Sequence, residues 1–170
     1  MNKFVIINDT HNGIRNSSEI FLDNADDFYF KVLFPYMEKH KIPRIIHFGD
    51  VFDNRKFINF KALNRYRKGF LSHLRKMGYH MDVIPGNHDT YFKNTNHLNS
   101  LKELLGYYMG EVTIWEEPTV IDIYGTNIAL LPWICSENYE KSVKFISQCK
   151  ADILFGHLEL KDFEVLNLRC

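Results

Sequence analysis

Residues 45–53, Ile45-Ile46-His47-Phe48-Gly49-Asp50-Val51-Phe52-Asp53, carry a short apolar, β-branched run straight into a glycine and a carboxylate. Such a run predicts a buried strand whose end turns sharply and presents Asp50 at the edge of a sheet. The pattern occurs twice more. Phe4-Val5-Ile6-Ile7 leads into Asp9-Thr10-His11-Asn12-Gly13, and Met81-Asp82-Val83-Ile84 leads into Gly86-Asn87-His88-Asp89. A lone Asp-x-His or Gly-Asp occurs often by chance. Three in this order, each at a strand end, make a specific signal for a metal site at one edge of a sheet.

The segments between these runs read as helices. One is predicted over Ile20–His40, with Phe28, Val32, Leu33, Tyr36 and Met37 on its buried face and Pro43 marking its end. A second spans Asn59–Met77, with Phe60, Leu63, Phe70 and Leu74 as its apolar stripe and Gly78 as C-cap. A shorter helix covers Leu98–Leu105. Strands are expected at Lys3–Asn8, Arg44–Phe48 and a third ending at Pro85, then at Glu111–Trp115, Thr119–Ile123 and Asn127–Pro132. Tyr124-Gly125-Thr126 forms a tight turn between the last two. A helix over Asn138–Cys149 and a strand at Asp152–Phe155 follow. Alternating strands and helices predict parallel β-structure covered by helices, and the later β-rich part adds a second sheet. The fold class is α/β, a sandwich of two sheets flanked by helices.

At 170 residues the chain suits one domain with its own core. Lys plus Arg and Asp plus Glu are balanced at 21 each, so no global field advertises a polyanion, although a neutral total can hide a local basic face. No apolar run approaches the ~20 residues of a membrane span, and the amino terminus lacks a secretory leader. Cys135, Cys149 and Cys170 form an odd set without close pairing, which suits a reducing cytoplasm.

The donor chemistry follows from the motifs. Asp9 and His11, two residues apart beyond one strand, can address a single ion. Asp50, with two oxygens, can bridge two ions, and a bare carboxylate buried there would be costly without them. Asn87 adds a neutral amide oxygen. Mixed nitrogen and oxygen donors suit Mn²⁺, Fe²⁺ or Zn²⁺ better than Mg²⁺ or Ca²⁺. Two ions ~3.5–4 Å apart would clamp both oxygens of an in-line displacement.

With Gly49-Asp50-Val51-Phe52-Asp53-Asn54-Arg55-Lys56, Gly86-Asn87-His88-Asp89, Leu131-Pro132-Trp133-Ile134-Cys135 and Gly156-His157-Leu158-Glu159-Leu160, the chain resembles the calcineurin-like metallophosphoesterases over essentially its whole length. Within them it is similar to the SbcD-type DNA-repair nucleases, including the recombination endonuclease subunits of T-even-like phages. The resemblance implies that Asp9, His11, Asp50, Asn87 and His157 hold two divalent ions, foremost Mn²⁺ with Mg²⁺ as an alternative, and that His88 is the catalytic histidine. It implies DNA as substrate in recombination and double-strand break repair, an SbcC-type coiled-coil ATPase as partner, a homodimer as one assembly, and residence in the cytoplasm of a bacterial host. The family's closing Gly-His-x-His has no match, which implies that residues 1–170 form a metallophosphoesterase domain incomplete at its C-terminal end. Phe163 to Leu168 are then expected to pack on further strands.

Around this set, Asp53 and Asp89 are expected to orient ligands or water rather than bind an ion directly. Arg55, Lys56 and His97 lie close enough in sequence to the motifs to touch substrate. Lys61, Arg65, Arg67 and Lys68 read as a solvated helix face without acidic partners of their own. His47 is expected to be packed. Two rival functions use the same fold: a phosphatase acting on small molecules or proteins, which the metal motifs do not separate from a nuclease, and a non-catalytic interaction module like the phosphoesterase-like retromer subunit.

Overall fold

In the computed structural model, which describes residues 3–108 and 110–159, the three motif-bearing runs are adjacent strands of one parallel sheet. β1 (Val5–Ile7), β2 (Arg44–His47), β3 (His80–Val83) and β4 (Val112–Ile114) lie in that order, with Val5 level with Ile45, Ile45 with Met81, and Met81 with Val112. Parallel neighbours end at the same edge, so the loops after β1, β2 and β3 gather there. The expected packing of Phe163 to Leu168 lies outside the described residues.

Alternation along these strands divides the core. Ile7, Ile45, Met81, Val83 and Val112 face the helices, whereas Ile46 and Ile84 face a second sheet. That sheet is built from β5 (Thr119–Ile123), β6 (Thr126–Leu131) and β7 (Ile153–Gly156). β5 and β6 pair antiparallel through a two-residue turn in which Tyr124 and Gly125 both take positive φ, 57° and 85°, the twist that suits a tight hairpin. A crossover through the helix Tyr139–Gln148 brings β7 parallel to β6. Ile121, Ile123, Ile128 and Leu130 close over Ile46 and Ile84. The expected two-sheet sandwich with flanking helices is what forms.

The helical run from Glu19 to His40 is not uniform. Glu19–Asp27 and Phe34–His40 are α-helical, but Phe28–Leu33 between them is wound as a π-helix. Pro35 follows, with no N–H to give and a ring that crowds the carbonyl one turn back. The buried face is Leu22, Tyr29, Leu33, Phe34 and Met37, whereas Phe28, Val32 and Tyr36 are exposed, which corrects the face read from the sequence. In the second run, Phe60–Tyr66, Arg67–Leu71 and Ser72–Met77, the middle segment is again π-wound, Asn59 caps the start through its side chain, and Gly78 ends it at φ 65°. Phe60, expected inside, is outside, and Ala62, Tyr66 and Leu71 take its place in the core. The two runs meet through aromatic rings: Phe70 lies 4.7 Å from Tyr29, 5.1 Å from Tyr66 and 5.3 Å from Phe34, centroid to centroid.

Asp82 is a buried carboxylate on the face that Ile46 turns to the second sheet. It sits level with Ile46 on β2 and Thr113 on β4, fully buried, and accepts bonds from Arg44 Nε at 2.7 Å and Trp115 Nε1 at 2.9 Å. Burial alone would raise its carboxyl, but the bonds from His80, Arg44 and Trp115 outweigh it and hold the group below the usual carboxylate range.

Candidate metal centre

Backbone pairing continues past the strands and fixes the first two loops to each other. Asp9 N donates to Gly49 O, His11 N to Asp50 O at 2.9 Å and Asn12 N to Val51 O at 2.8 Å. Within this zipper Asp9, His11 and Asp50 all take positive φ, 50°, 41° and 52°. Non-glycine residues rarely sit there, and roughly 1–3 kcal/mol each is the usual cost. The two glycines make the crossing possible. A Cβ on Gly49 would collide with the Gly86 backbone, and one on Gly86 with the Asp50 carboxylate and amide nitrogen.

The side chains converge on Asp50, which is buried. Its Oδ2 lies 3.7 Å from His11 Nε2 and 3.7 Å from His157 Nε2, while its Oδ1 accepts from the His88 backbone N–H at 2.7 Å. Asp9 Oδ1 is 3.7 Å from the same His11 Nε2. One atom each from Asp9, His11 and Asp50 falls within 4.8 Å of the others. His157, carried in at the end of β7 from the second sheet, places Nε2 2.8 Å from Asn87 Oδ1. Two triads therefore share one carboxylate: Asp9, His11 and Asp50, and Asp50, Asn87 and His157.

Hydrogen bonding decides which ring atoms face the centre. His157 Nδ1 lies 2.8 Å from the Phe48 carbonyl, which can only accept, so Nδ1 donates, and the tautomer with its single proton there presents a bare lone pair at Nε2. That lone pair faces two more acceptors, Asn87 Oδ1 and Asp50 Oδ2. His11 Nδ1 is buried without a hydrogen-bond partner among the described residues, 3.5 Å from Asp53 Oδ1. Lone pairs that face one another at His157 Nε2, Asn87 Oδ1 and Asp50 Oδ2 fit a divalent cation, which a mixture of imidazole, amide and carboxylate can hold. His88 is anchored the same way, with Nδ1 2.7 Å from the Asp53 carbonyl, leaving Nε2 to hold or give a proton.

Two buried groups support the loops. Asp89 accepts from the backbone N–H groups of Asp50, Gly86 and Val51 at 2.6, 2.9 and 3.0 Å, tying the second and third loops together. Burial pushes its carboxyl up to about 7 against the pull of those N–H groups, and the nearby Asp50 adds to the rise. His47 is fully buried and packed, as expected. It accepts from Gly49 N at Nδ1 and therefore donates from Nε2 to Thr10 Oγ1 at 3.0 Å, joining the first and second loops. Burial, with His157 and His11 nearby, pushes its imidazole down to about 3.

The flanking residues divide. Arg55 bonds Thr90 Oγ1 at 3.2 Å and stacks 5.3 Å from the Trp133 ring, and Lys56 Nζ stands 5.5 Å from the Tyr91 ring. Both border a shallow depression with Asp53 and His88. His97 is not drawn into the cluster: it is exposed and turns to Glu137 at 3.4 Å. Lys61 and Arg65 do have acidic partners, contrary to expectation. Lys61 pairs with Glu19, and Arg65 with Asp23 and Asp26, all from the first helical run packed alongside.

Sequence reasoning assigned no role to Thr10 or Asn12, although Asn12 stands inside the first motif. Asn12 Nδ2 donates to Val51 O at 2.8 Å and its Oδ1 accepts from Tyr29 OH, so this buried amide couples the metal loops to the aromatic core. The carbonyls of Phe48 and Asp53, which orient His157 and His88, leave no side-chain signature at all.

Over residues 2–167 the sequence matches the calcineurin-like phosphoesterase family. Exonuclease subunit 1 of Enterobacteria phage T4 is 32% identical over 161 residues, which cover 95% of this chain and 47% of that protein. The chain thus spans about half the length of the curated relative it matches.

Proposed function

The chain belongs to the calcineurin-like phosphoesterase family, and on that premise we propose that it is the catalytic part of a divalent-metal-dependent DNA nuclease that hydrolyses phosphodiester bonds. The observation that carries this reading is the shared carboxylate, Asp50 Oδ2 at 3.7 Å from both His11 Nε2 and His157 Nε2. Asp9, His11 and Asp50 would hold one ion, and Asp50, Asn87 and His157 the other. Bound there, divalent ions such as Mn²⁺ supply positive charge for the phosphate and help ionise the attacking water.

The chain's own groups complete the site. Asp53 fixes His88 through its carbonyl and keeps Nε2 available as the proton donor to the departing oxygen. Asp89 holds the backbone that aims Asp50, and His47 with Thr10 locks the neighbouring loop. Among the described residues Arg55 and Lys56 contact Thr90, Trp133 and Tyr91 rather than a carboxylate, so their charge is available to phosphates beside His88. DNA rather than a small ester is supported by these cations and by the name of the phage relative, an exonuclease subunit. That name also supports a partner subunit. With the SbcD resemblance we take it to be an SbcC-type coiled-coil ATPase serving recombination and double-strand break repair, with homodimerisation a further expectation.

The test is cleavage of labelled DNA and of 4-nitrophenyl phosphate, side by side, with Mn²⁺ and with EDTA. Mn²⁺-dependent cleavage of DNA with little phosphomonoesterase activity is expected. Efficient monoester hydrolysis with intact DNA would favour a phosphatase.

A further inference from the structure

Beside the proposed metal centre, a cleft of about 170 Å³ opens between residues 54–58 and residues 91–104. Its walls are Phe57, Ile58, Tyr91, Leu98 and Leu104, with Phe52 beneath. Phe57 is 67% exposed and Leu98 39%, a cost that exposed apolar side chains incur unless something covers them. An engineered protein cavity of roughly 150 Å³ accepts a benzene ring, so this space suits one planar ring.

The cleft is continuous with the site. Asn54, Arg55 and Lys56 line both it and the depression holding His88 and Asp53. Whatever occupies the cleft is therefore joined, across two cations free of carboxylate partners among the described residues, to the place where a phosphate would sit. An apolar slot for a ring, then positive charge, then the metal ligands is the order of groups along a nucleotide: base, backbone, scissile phosphate. At its rim Glu103 has no cationic partner among the described residues and can accept from an exocyclic amine or ring N–H of a base.

We propose that this cleft receives one unpaired nucleobase of the polynucleotide substrate, stacked against Phe57 and Tyr91, so that the protein works on single strands or frayed ends. The proposal rests on the nuclease reading above and adds what the metal centre does not specify. A base within a duplex is stacked on both sides and cannot enter a side slot. A base released from pairing can, and aromatic stacking accounts for ~1–3 kcal/mol per base in proteins that bind single strands.

Binding and cleavage are measured separately. Affinity is read by fluorescence anisotropy in EDTA for three labelled probes: a single-stranded oligonucleotide, the same strand with abasic sites throughout, and a blunt duplex closed at both ends by interstrand crosslinks. The intact single strand should bind at least about tenfold more tightly than the abasic strand, and Phe57→Ala should reduce that preference to within about twofold. Phe57→Trp should keep it and show quenched indole fluorescence on binding. Cleavage is read with Mn²⁺ on the intact strand and the closed duplex, and the single strand should be cut faster. Equal affinity for intact and abasic strands, in a protein that cleaves DNA, would overturn the cleft and leave the nuclease reading standing. No binding and no cleavage of any probe would overturn both.

Discussion

His157 Nε2 lies 2.8 Å from Asn87 Oδ1, although the two residues belong to different sheets and stand 70 positions apart in the chain. His157 follows β7 in the second sheet, and Asn87 follows β3 in the first. Their meeting makes the candidate centre a property of the docked sandwich rather than of either sheet. A cation held between them would bind the folded chain and not the separated sheets.

That arrangement predicts a thermal consequence of metal removal. Mn²⁺ at about a hundred times its dissociation constant should stabilise the fold by about 2.7 kcal/mol, and EDTA should remove that gain. His157→Ala should lose most of the Mn²⁺-dependent rise in Tm. Differential scanning calorimetry of both proteins in each condition checks this. A full Mn²⁺ response in His157→Ala would place the histidine outside the centre.

Gly86→Ala should cut activity by about 10²-fold or more while the protein still folds. The added methyl would strike the Asp50 carboxylate and push it from its place between the two histidines. Circular dichroism and single-turnover cleavage together separate this from unfolding, which would leave no cooperative melt.

The buried His47 makes the metal-free protein acid-sensitive. Burial pushes its folded imidazole down to about 3, from the ordinary 6.5 of a histidine. Between those values the unfolded chain binds a proton that the folded chain does not. Stability from this group is therefore present above about 6.5 and declines as pH falls towards 3, by at most about 1.4 kcal/mol per pH unit. Urea unfolding in EDTA at several pH values should show a shallower slope for His47→Gln than for the wild type. Equal slopes would contradict the assignment.

Asp82→Ala should destabilise the protein by about 1–3 kcal/mol, because Trp115 Nε1 and Arg44 lose their buried acceptor. Because the native carboxyl is held low, that contribution is present above the ordinary carboxylate pKa and lost as pH falls through the folded value. Urea midpoints followed by tryptophan fluorescence measure it, and an unchanged midpoint at neutral pH would argue that water replaces the bonds.

Much of this architecture was legible in the residues. The order of β1, β2 and β3 follows from three β-branched runs each ending in a polar motif, and Asn59 and Gly78 bound the second helical run where their chemistry suggests. The buried face of the first run was not legible, because every residue from 28 to 37 except Lys31 and Pro35 is apolar and any periodicity can be drawn through them. The π-wound turn before Pro35 then moves Tyr29 and Phe34 inward and Val32 and Tyr36 outward. The Arg65 ion pairs were invisible for a different reason, since Asp23 and Asp26 come from another helix. Within the centre, residue identity pointed to Asp9, His11, Asp50 and Asn87. The positive φ angles that aim three of them, and the Phe48 carbonyl that turns His157, depend on backbone pairing between distant loops.

The central claim, that Asp50 alone serves two cation positions, is tested most directly by titrating Mn²⁺ calorimetrically into the wild type and Asp50→Asn while following DNA cleavage on the same samples. Two ions per wild-type chain are predicted, with both weakened at least about tenfold in the variant and cleavage reduced to below about a tenth, since an amide offers one uncharged oxygen in place of a bridging carboxylate. A variant that binds two ions at wild-type affinity and keeps more than about a tenth of the cleavage rate would contradict the shared-carboxylate account.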